Sequence, residues 1–521
     1  MESSKRTSLA AASVWSRRTS SSARSDKSLD CLANFKGQPL DLPALSNDGD
    51  RPTSGSSRSP TRSRKLAKFF GEDTAGQIVG AQPASAKPAF LMPDYAVEDI
   101  SFNVDNQVRG GSLRGLVIKL TSHEGPDVPF LRVFLMTYRT FTTSHDFLNL
   151  LFERYHQQPP PDLTADELKM WSDQKQKVIK IRVVNVMRTW IESHLSDEDA
   201  EGILQRIIEF ATRDMGDSSL SKQITLTCER RVSYQSRGPS SKLLPVPSGN
   251  PPPTIVPRNT RKIKFLDIDP LELARQLSLV ESKLFCQIQV NECLGKAWPK
   301  EFAKEGTPHI TAMIDMSNAL TRWVAETILS QPEQKKRANT IKHFILIAER
   351  CRNLNNFSTL MQIIAGLNST PIYRLRRTWE TIPHKILTLF GQLGAVMSPT
   401  KNYATYRDTI RNMAPPCVPF VGVYLTDWTF IGDGNPDNLR EKPHQINFNK
   451  RQKAAELIVQ IQSYQSMPYQ LTPVPVIVKF LEESLDNPRD EKELYDMSLD
   501  IEPRERDDEK IARLLAESGF L

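Results

Sequence analysis

The sequence predicts a mainly α-helical protein built from two helical domains. Apolar residues recur at three- and four-residue spacing in many segments after residue 100, such as SHDFLNLLFERY and RANTIKHFILIAERCRNL. No sustained alternation of apolar and polar residues, the mark of half-buried strands, is evident. A proline-dense stretch near residue 250 divides the helical segments into two groups. Together these observations predict helices on both sides of a linker.

Residues 1–95 are predicted to form a disordered, basic tail rich in Ser and Pro. Large apolar residues are too sparse there to offset the entropy lost on ordering. Residues 1–70 hold thirteen basic and six acidic side chains, which accounts for the whole net charge of +7. The rest of the chain is neutral, so we expect no nucleic-acid binding by the folded part. The tail could add peripheral attraction to an anionic membrane surface.

Residues 96–233 are predicted to form the first domain, with Trp190 in its core, and residues 234–260 a Pro-rich linker. The second domain is predicted over residues 261–505, with Trp323 in its core, followed by a tail over residues 506–521. Its first helix has a clear start. Asp269 can cap the helix, Pro270 suits the first turn, and Glu272 stands at the capping-box position.

The segment from Pro415 to Leu439 predicts a protruding hairpin. An apolar run leads into Gly432-Asp433-Gly434-Asn435-Pro436, whose glycines and proline predict a tight turn in place of helix. An amphipathic helix is predicted to begin about ten residues later. Its first turn is basic, which indicates either a solvated face or an external anionic neighbour; the residues are Lys450, Arg451 and Lys453.

Catalytic and metal-binding signatures are largely missing. The six cysteines and eight histidines are dispersed, without zinc-ligand spacing. The phosphate loop and the GxGxxG, HExxH and GxSxG motifs do not occur. No apolar run approaches the roughly 20 residues that cross a bilayer. We therefore expect a cytoplasmic protein that needs no metal or cofactor and acts by binding, although a hydrolase or transferase site assembled in space stays open.

Two groups of motifs occur in an order typical of one family. The first is LRGLVIKLTSHEGPDVPFLRVFLMTYRTFTTSHDFLNLLFERY, and the second includes LNNFSTLMQIIAGLNSTPIYRL, PPCVPFVGVYLTD, GNP and INFNKRQKAAELI. They resemble, respectively, the Ras exchanger motif domain and the catalytic domain of Ras-family guanine-nucleotide exchange factors of the Son-of-sevenless type. The resemblance implies that the catalytic domain is an α-helical bowl with a protruding helical hairpin.

The resemblance also implies a function. The protein would promote GDP release and GTP loading on a Ras-family small GTPase, of the Ras or Rap type, at the inner face of the plasma membrane. It would be a regulator without covalent chemistry, hence not an enzyme in the usual sense. Two alternatives are a scaffold that binds the GTPase without opening it and a GTPase activator that supplies an arginine finger, although no motif of the latter class is evident.

Site residues follow from the resemblance, position by position. The hairpin tip would carry Thr429 in the apolar role near the Mg²⁺ site, Asp433 as the carboxylate near the phosphates, and Asn435 beside them. Relatives more often have Leu and Glu at the first two positions. Plainer interpretations are a surface threonine, a turn aspartate and a turn asparagine. The positions implied to contact the GTPase are Phe420, Asn368, Tyr373, Trp298, Asp315 and Phe430. A core role for Phe420 and a helix-capping role for Asn368 are the alternatives.

Overall fold

The computed structural model describes residues 87–236, 249–261, 263–294 and 308–503. It confirms the mainly α-helical fold class. The first region contains the helices α1 (Leu113–Leu120), α2 (Val128–Thr137), α3 (Ser144–Tyr155), α4 (Ala165–Trp171), α5 (Lys177–Ser193), α6 (Asp197–Asp214) and α7 (Ser219–Ser236). A π-helical turn, Ser172–Gln176, joins α4 to α5. The predicted tail residues 1–86 and 506–521 lie outside the described residues.

The second region contains a larger set of helices: α8 (Pro270–Gln287), α9 (Val290–Cys293), α10 (Pro308–Leu329), α11 (Gln334–Asn353), α12 (Phe357–Asn368), α13 (Thr370–Tyr373), α14 (Arg376–Glu380), α15 (His384–Val396), α16 (Thr400–Arg411), α17 (Val421–Gly434), α18 (Phe448–Tyr464), α19 (Pro475–Leu485) and α20 (Glu491–Ile501). Short 3₁₀ turns lie at Ala89–Leu91, Tyr138–Thr140 and Phe265–Asp267.

Each region has its own hydrophobic core. Trp190 lies at the centre of the first core and Trp323 within the second, and both are buried, as predicted. Residues also cross between the cores: Met136 on α2 packs into the second core, Ile446 packs into the first, and so does Phe448 at the start of α18. Its ring centroid lies 4.7 Å from that of Phe130 on α2. The two regions therefore share an apolar contact.

A small antiparallel sheet, which was not predicted, also joins the two regions. Its strands are β1 (Ile100–Phe102), β2 (Val108–Gly111) and β3 (Ile446–Asn447), in the order β1-β2-β3. Strands of two to four residues are too short to show an alternating pattern. Gly110 pairs with Asn447. A Cβ atom at Gly110 would lie 2.7 Å from the Ile446 carbonyl oxygen, so the close approach of β3 requires glycine there.

Residues 87–95 were assigned to the disordered tail, and the structure corrects this. They lie against the first domain through a buried lysine, Lys175, in the π-helical turn. Its Nζ donates to the Met92 carbonyl at 2.6 Å and lies 2.6 Å from an Asp94 carboxylate oxygen. Arg154 pairs with the same carboxylate at 2.7 Å. This buried ion cluster fixes the segment, because detaching Asp94 would leave Lys175 and Arg154 buried without their carboxylate partner.

The start of α8 is predicted correctly in part. Asp269 caps the helix by accepting from the Leu271 N–H at 2.8 Å, and Pro270 occupies the first turn. The predicted capping box is wrong, since the buried Glu272 carboxylate accepts instead from the Ile255 N–H at 3.0 Å. Arg275 pairs with Glu272 and donates to the Pro253 carbonyl. The Pro-rich segment is thus fastened along α8 where the structure describes it, from residue 249 onward.

Candidate functional site

The helical hairpin consists of α17, α18 and the connection between them. The predicted turn at Gly432–Pro436 is wrong in position, because α17 continues to Gly434 and the chain becomes extended at Asn435. Glycine is tolerated in the last turn of a helix, where the chain is about to leave it. The second helix begins at Phe448 after Asn447, whose side chain accepts from the Lys450 N–H. The predicted start about ten residues after the turn is therefore confirmed.

The basic start of α18 holds the hairpin together. Lys450 Nζ donates to the Gly432 carbonyl at 3.0 Å, and it lies 3.1 Å from the Asp437 carboxylate. Arg451 lies 2.9 Å from the same carboxylate. Partial burial alone would raise the pKa of Asp437, but hydrogen bonds from Lys450 and Arg451 hold that pKa below its usual range. Lys450 and Arg451 therefore lie neither on a solvated face nor beside an external anion, the two predicted settings. Both are largely buried, and their partners lie within the hairpin.

One face near the hairpin tip is exposed. Thr429 and Asp433 are both exposed and lie one helical turn apart, so they share this face. Phe430 beside them leaves 61% of its surface exposed. The Thr429 hydroxyl donates to the Leu425 carbonyl at 2.9 Å, so its methyl group is the part left for an outside contact. A partner entering here would meet apolar surface next to a carboxylate.

Asn435 caps the hairpin tip. It is half-buried, and its Nδ2 donates to the Ile431 carbonyl at 3.1 Å. Its Oδ1 accepts from Lys453 on α18 at 3.5 Å. These contacts tie the end of α17 to α18 and fit the turn-forming interpretation of this residue.

Phe420 lies at the root of the hairpin and is only 7% exposed. Its N–H donates to the buried Tyr406 hydroxyl at 2.9 Å, and its ring lies 5.9 Å from that of Tyr403. Burial raises the pKa of Tyr406 well above its usual range, so this hydroxyl stays neutral. A Cβ atom at Gly422 would lie 2.5 Å from the Phe420 ring, so any larger residue at this position would clash with the ring. Neither Tyr406 nor Gly422 was predicted from the sequence, although a glycine two residues after Phe420 could have indicated a close approach of its ring.

Asn368 and Tyr373 form a second exposed zone. Asn368 ends α12, and Tyr373 ends α13 with 74% of its surface exposed. The first residue of α12, Phe357, donates its N–H to the Val418 carbonyl beside the hairpin root. Because α12 has 12 residues, its ends are about 18 Å apart. The structure therefore separates these two residues from Phe420 by roughly the length of one helix.

Asp315 lies beside the first half of α12. It is exposed on α10, which runs beside α12 in the same direction, since Ser317 contacts Gln362 and Val324 faces Gly366. Trp298 lies outside the described residues. Among the residues that the structure describes, no group of three or more His, Cys, Asp or Glu side chains could hold a metal ion. No helix within the same residues is long and apolar enough to span a membrane.

The first domain braces the hairpin from the side. Besides Phe448 on Phe130, the Arg451 guanidinium lies 5.9 Å from the Phe141 ring centroid. Arg109 on β2 pairs with Glu441 in the hairpin connection at 2.7 Å, in an exposed setting. The first-domain sheet, its core and one surface ion pair thus all contact the segment that joins α17 to α18.

Comparison with known proteins agrees with this arrangement. The RasGEF domain family matches residues 272–452, and the RasGEF N-terminal motif matches residues 107–210. The chain belongs to the RasGEF family. The second match includes most of the first-domain helices, and the first includes the whole hairpin up to the first turn of α18.

Curated relatives extend the similarity over most of the chain. Cell division control protein 25 of Candida albicans is 35% identical over 439 residues, which are 82% of this chain and 32% of the relative. Its namesake in Saccharomyces cerevisiae is 33% identical over 80% of this chain and 28% of the relative. Ras guanine nucleotide exchange factor J of Dictyostelium discoideum is 32% identical over 91% of this chain and 58% of the relative. The chain thus spans between 28% and 58% of the length of these relatives.

Proposed function

We propose that this protein is a guanine-nucleotide exchange factor that promotes GDP release and GTP loading on a Ras-family small GTPase. The observation that carries the proposal is the braced hairpin. It exposes Thr429, Phe430 and Asp433 on one face near its tip, while the rest of the hairpin is held by internal ion pairs and by the first domain. The family match to the RasGEF domain and the similarity to the Dictyostelium guanine nucleotide exchange factor support the same activity.

In the proposed mechanism the hairpin enters between the two switch segments of the GTPase. The methyl group of Thr429 and the ring of Phe430 would occupy the space of the Mg²⁺ ion that helps to hold the nucleotide. The Asp433 carboxylate would then lie near the phosphates. Loss of the cation and approach of a negative charge both weaken phosphate binding. Linkage requires that nucleotide weaken binding of the hairpin by the same factor, so GTP in turn displaces the exchange factor.

The two exposed zones suggest how the GTPase would be held. The hairpin face would contact one switch segment, and Asn368 and Tyr373, at the end of α12 that is remote from the hairpin root, would contact the other. Phe420 is nearly buried, so its role would be to shape the wall between the zones more than to present a free aromatic ring. Asp315 would face the GTPase beside α12.

The test is the release of a fluorescent GDP analogue from purified Ras-type and Rap-type GTPases by the full chain. The Phe430→Ser and Asp433→Ala variants should slow release at least tenfold on the GTPase that responds, which corresponds to about 1.4 kcal/mol of lost transition-state stabilisation. Glu483→Ala on α19 is a matched control, because Glu483 is an exposed acid outside the hairpin. Binding of a GTPase without accelerated release would refute the exchange proposal and favour the scaffold alternative.

A further inference from the structure

A partly buried ion pair fixes α17 to α16. Arg407 on α16 donates to Asp427 through two parallel hydrogen bonds, Nη1 to Oδ2 at 2.7 Å and Nη2 to Oδ1 at 2.8 Å. The Arg407 side chain is 28% exposed and that of Asp427 is 18% exposed. A bidentate, partly desolvated pair of this kind restricts orientation as well as distance. An exposed ion pair joined by a single contact restricts neither orientation nor distance to this degree.

The Arg407 side chain has a second attachment, in an unusual backbone segment. Its Nε donates to the Asn402 carbonyl at 2.8 Å. Asn402 is the centre of a single left-handed turn, with φ of 51° at Lys401, 55° at Asn402 and 60° at Tyr403. Left-handed backbone is unfavourable for residues other than glycine, so three in a row must be held by contacts around them. Arg407 supplies one of these contacts.

The left-handed turn packs against the root of the hairpin. It places the Tyr403 ring against that of Phe420, which stands at the N-terminal cap of α17. Arg407 therefore contacts both the left-handed turn, which packs on Phe420, and the middle of α17, the helix that begins directly after Phe420. Three consecutive strained residues at such a place are typical of functional sites.

The geometry of α17 shows what this link controls. At about 100° for each residue, Thr429 and Asp433 lie about 200° and 240° around the helix from Asp427. Arg407 thus holds a face of α17 that is turned away from Thr429 and Asp433, while Phe430 lies at the edge of that face, about 60° from Asp427. Fixing one face of a helix sets the direction in which the other face points.

We propose that Arg407 is a positioning residue for the exchange reaction, which sets the angle of α17 through Asp427 and the left-handed turn. This inference rests on the proposed exchange function. Arg407 touches neither nucleotide nor tip residues, so it acts through the helix. It should affect the opening of the nucleotide site more than the initial binding of the GTPase.

Two measurements on the full chain test the proposal. Amide hydrogen exchange over residues 421–434 should become about tenfold faster in Arg407→Met, because one restraint on the helix is gone. In the GDP-release assay the same variant should lower kcat about tenfold while KM changes less than twofold. Arg407→Lys keeps the charge but not the paired hydrogen bonds, and its values should fall between those of Arg407→Met and the unmodified chain.

Arg411→Met is the matched control. Arg411 lies one turn further along α16 and pairs with Asp408 at 3.4 Å, with both side chains about 70% exposed. It should leave both measurements unchanged. A double-mutant cycle with Asp427→Leu adds a test of coupling, since the double variant should lose no more than Arg407→Met alone. If Arg407→Met does not fold, Arg407→Lys and Asp427→Asn carry the test.

The outcomes separate the two claims. Unchanged hydrogen exchange in α17 of Arg407→Met would overturn the positioning role, whatever the chain does to a GTPase. An equal loss of kcat in Arg411→Met would overturn it as well. If the unmodified chain releases no GDP from any GTPase while α17 loosens in Arg407→Met, the exchange function fails and the link between Arg407 and the hairpin stands.

Discussion

Substituting Phe448 by alanine should loosen the hairpin without unfolding the two domains. Phe448 is 3% exposed, and its ring lies 4.7 Å from that of Phe130 across the boundary between the regions. A phenylalanine buries about 150–250 Å², and large-to-small changes at such sites cost about 3–5 kcal/mol. The attachment of the hairpin to the first domain should weaken by about this amount.

Other contacts also cross the boundary. Ile446 packs into the first core, and Met136 packs into the second. The β2–β3 ladder pairs two residues with two, at about 1 kcal/mol net for each hydrogen bond. Arg451 over the Phe141 ring contributes about 1 kcal/mol. Phe448 is the largest second-domain side chain in the first core, so its removal should loosen the hairpin without detaching it.

The assay is amide hydrogen exchange over residues 437–452, together with the GDP-release rate. Both should change at least tenfold in Phe448→Ala, with faster amide exchange and slower GDP release. Phe152→Ala is the matched control, since Phe152 stacks on Phe210 at 3.9 Å inside the first domain and does not touch the hairpin. A folded Phe448→Ala variant with unchanged amide exchange over residues 437–452 would refute the bracing argument.

Three further predictions concern buried groups. Burial raises the pKa of Glu281 above its ordinary value of about 4.5. The free energy of unfolding should therefore fall as the pH rises from about 4.5 toward that raised pKa. Urea titrations at pH 5 and pH 8 should show this fall in the unmodified chain and no such fall in Glu281→Gln. Burial lowers the pKa of His194 to about 4, so stability should be lost as pH falls from 6.5 to 4, and an equal slope of Tm against pH in His194→Gln would contradict this. Gly422→Ala should cost about 1–3 kcal/mol by displacing the Phe420 ring and should slow GDP release, and an unchanged Tm would show that the ring moves freely.

Local signals in the sequence predicted the helices well. The cap at Asp269 and the apolar spacing of α18 depend on neighbours within one or two turns, and both predictions hold. The predicted turn at Gly432–Pro436 failed because α17 continues through its glycines, where Lys450 donates to the Gly432 carbonyl and Asn435 to the Ile431 carbonyl. Glu272 was misassigned for a similar reason. Its partner, the Ile255 N–H, lies 17 residues earlier, beyond the range of any capping rule.

Contacts between distant segments could not be predicted. β3 has only two residues and exists because β2, more than 330 positions earlier, lies beside it. The bidentate pair of Arg407 with Asp427 joins residues 20 positions apart on two different helices, and the left-handed turn at Lys401–Tyr403 contains no glycine that would predict it. The exposed Thr429, Phe430 and Asp433 were predicted from the family resemblance, and their role stays a prediction.

The central claim is that the hairpin and the nucleotide compete for one GTPase. The most direct measurement is the affinity of the full chain for a Ras-type or Rap-type GTPase, first without nucleotide and then with saturating GDP. Competition between hairpin and nucleotide predicts much tighter binding to the nucleotide-free GTPase, and an equal factor by which the chain weakens GDP affinity. Equal affinity for the two forms would contradict it, because a ligand that binds both states equally cannot shift the equilibrium between them.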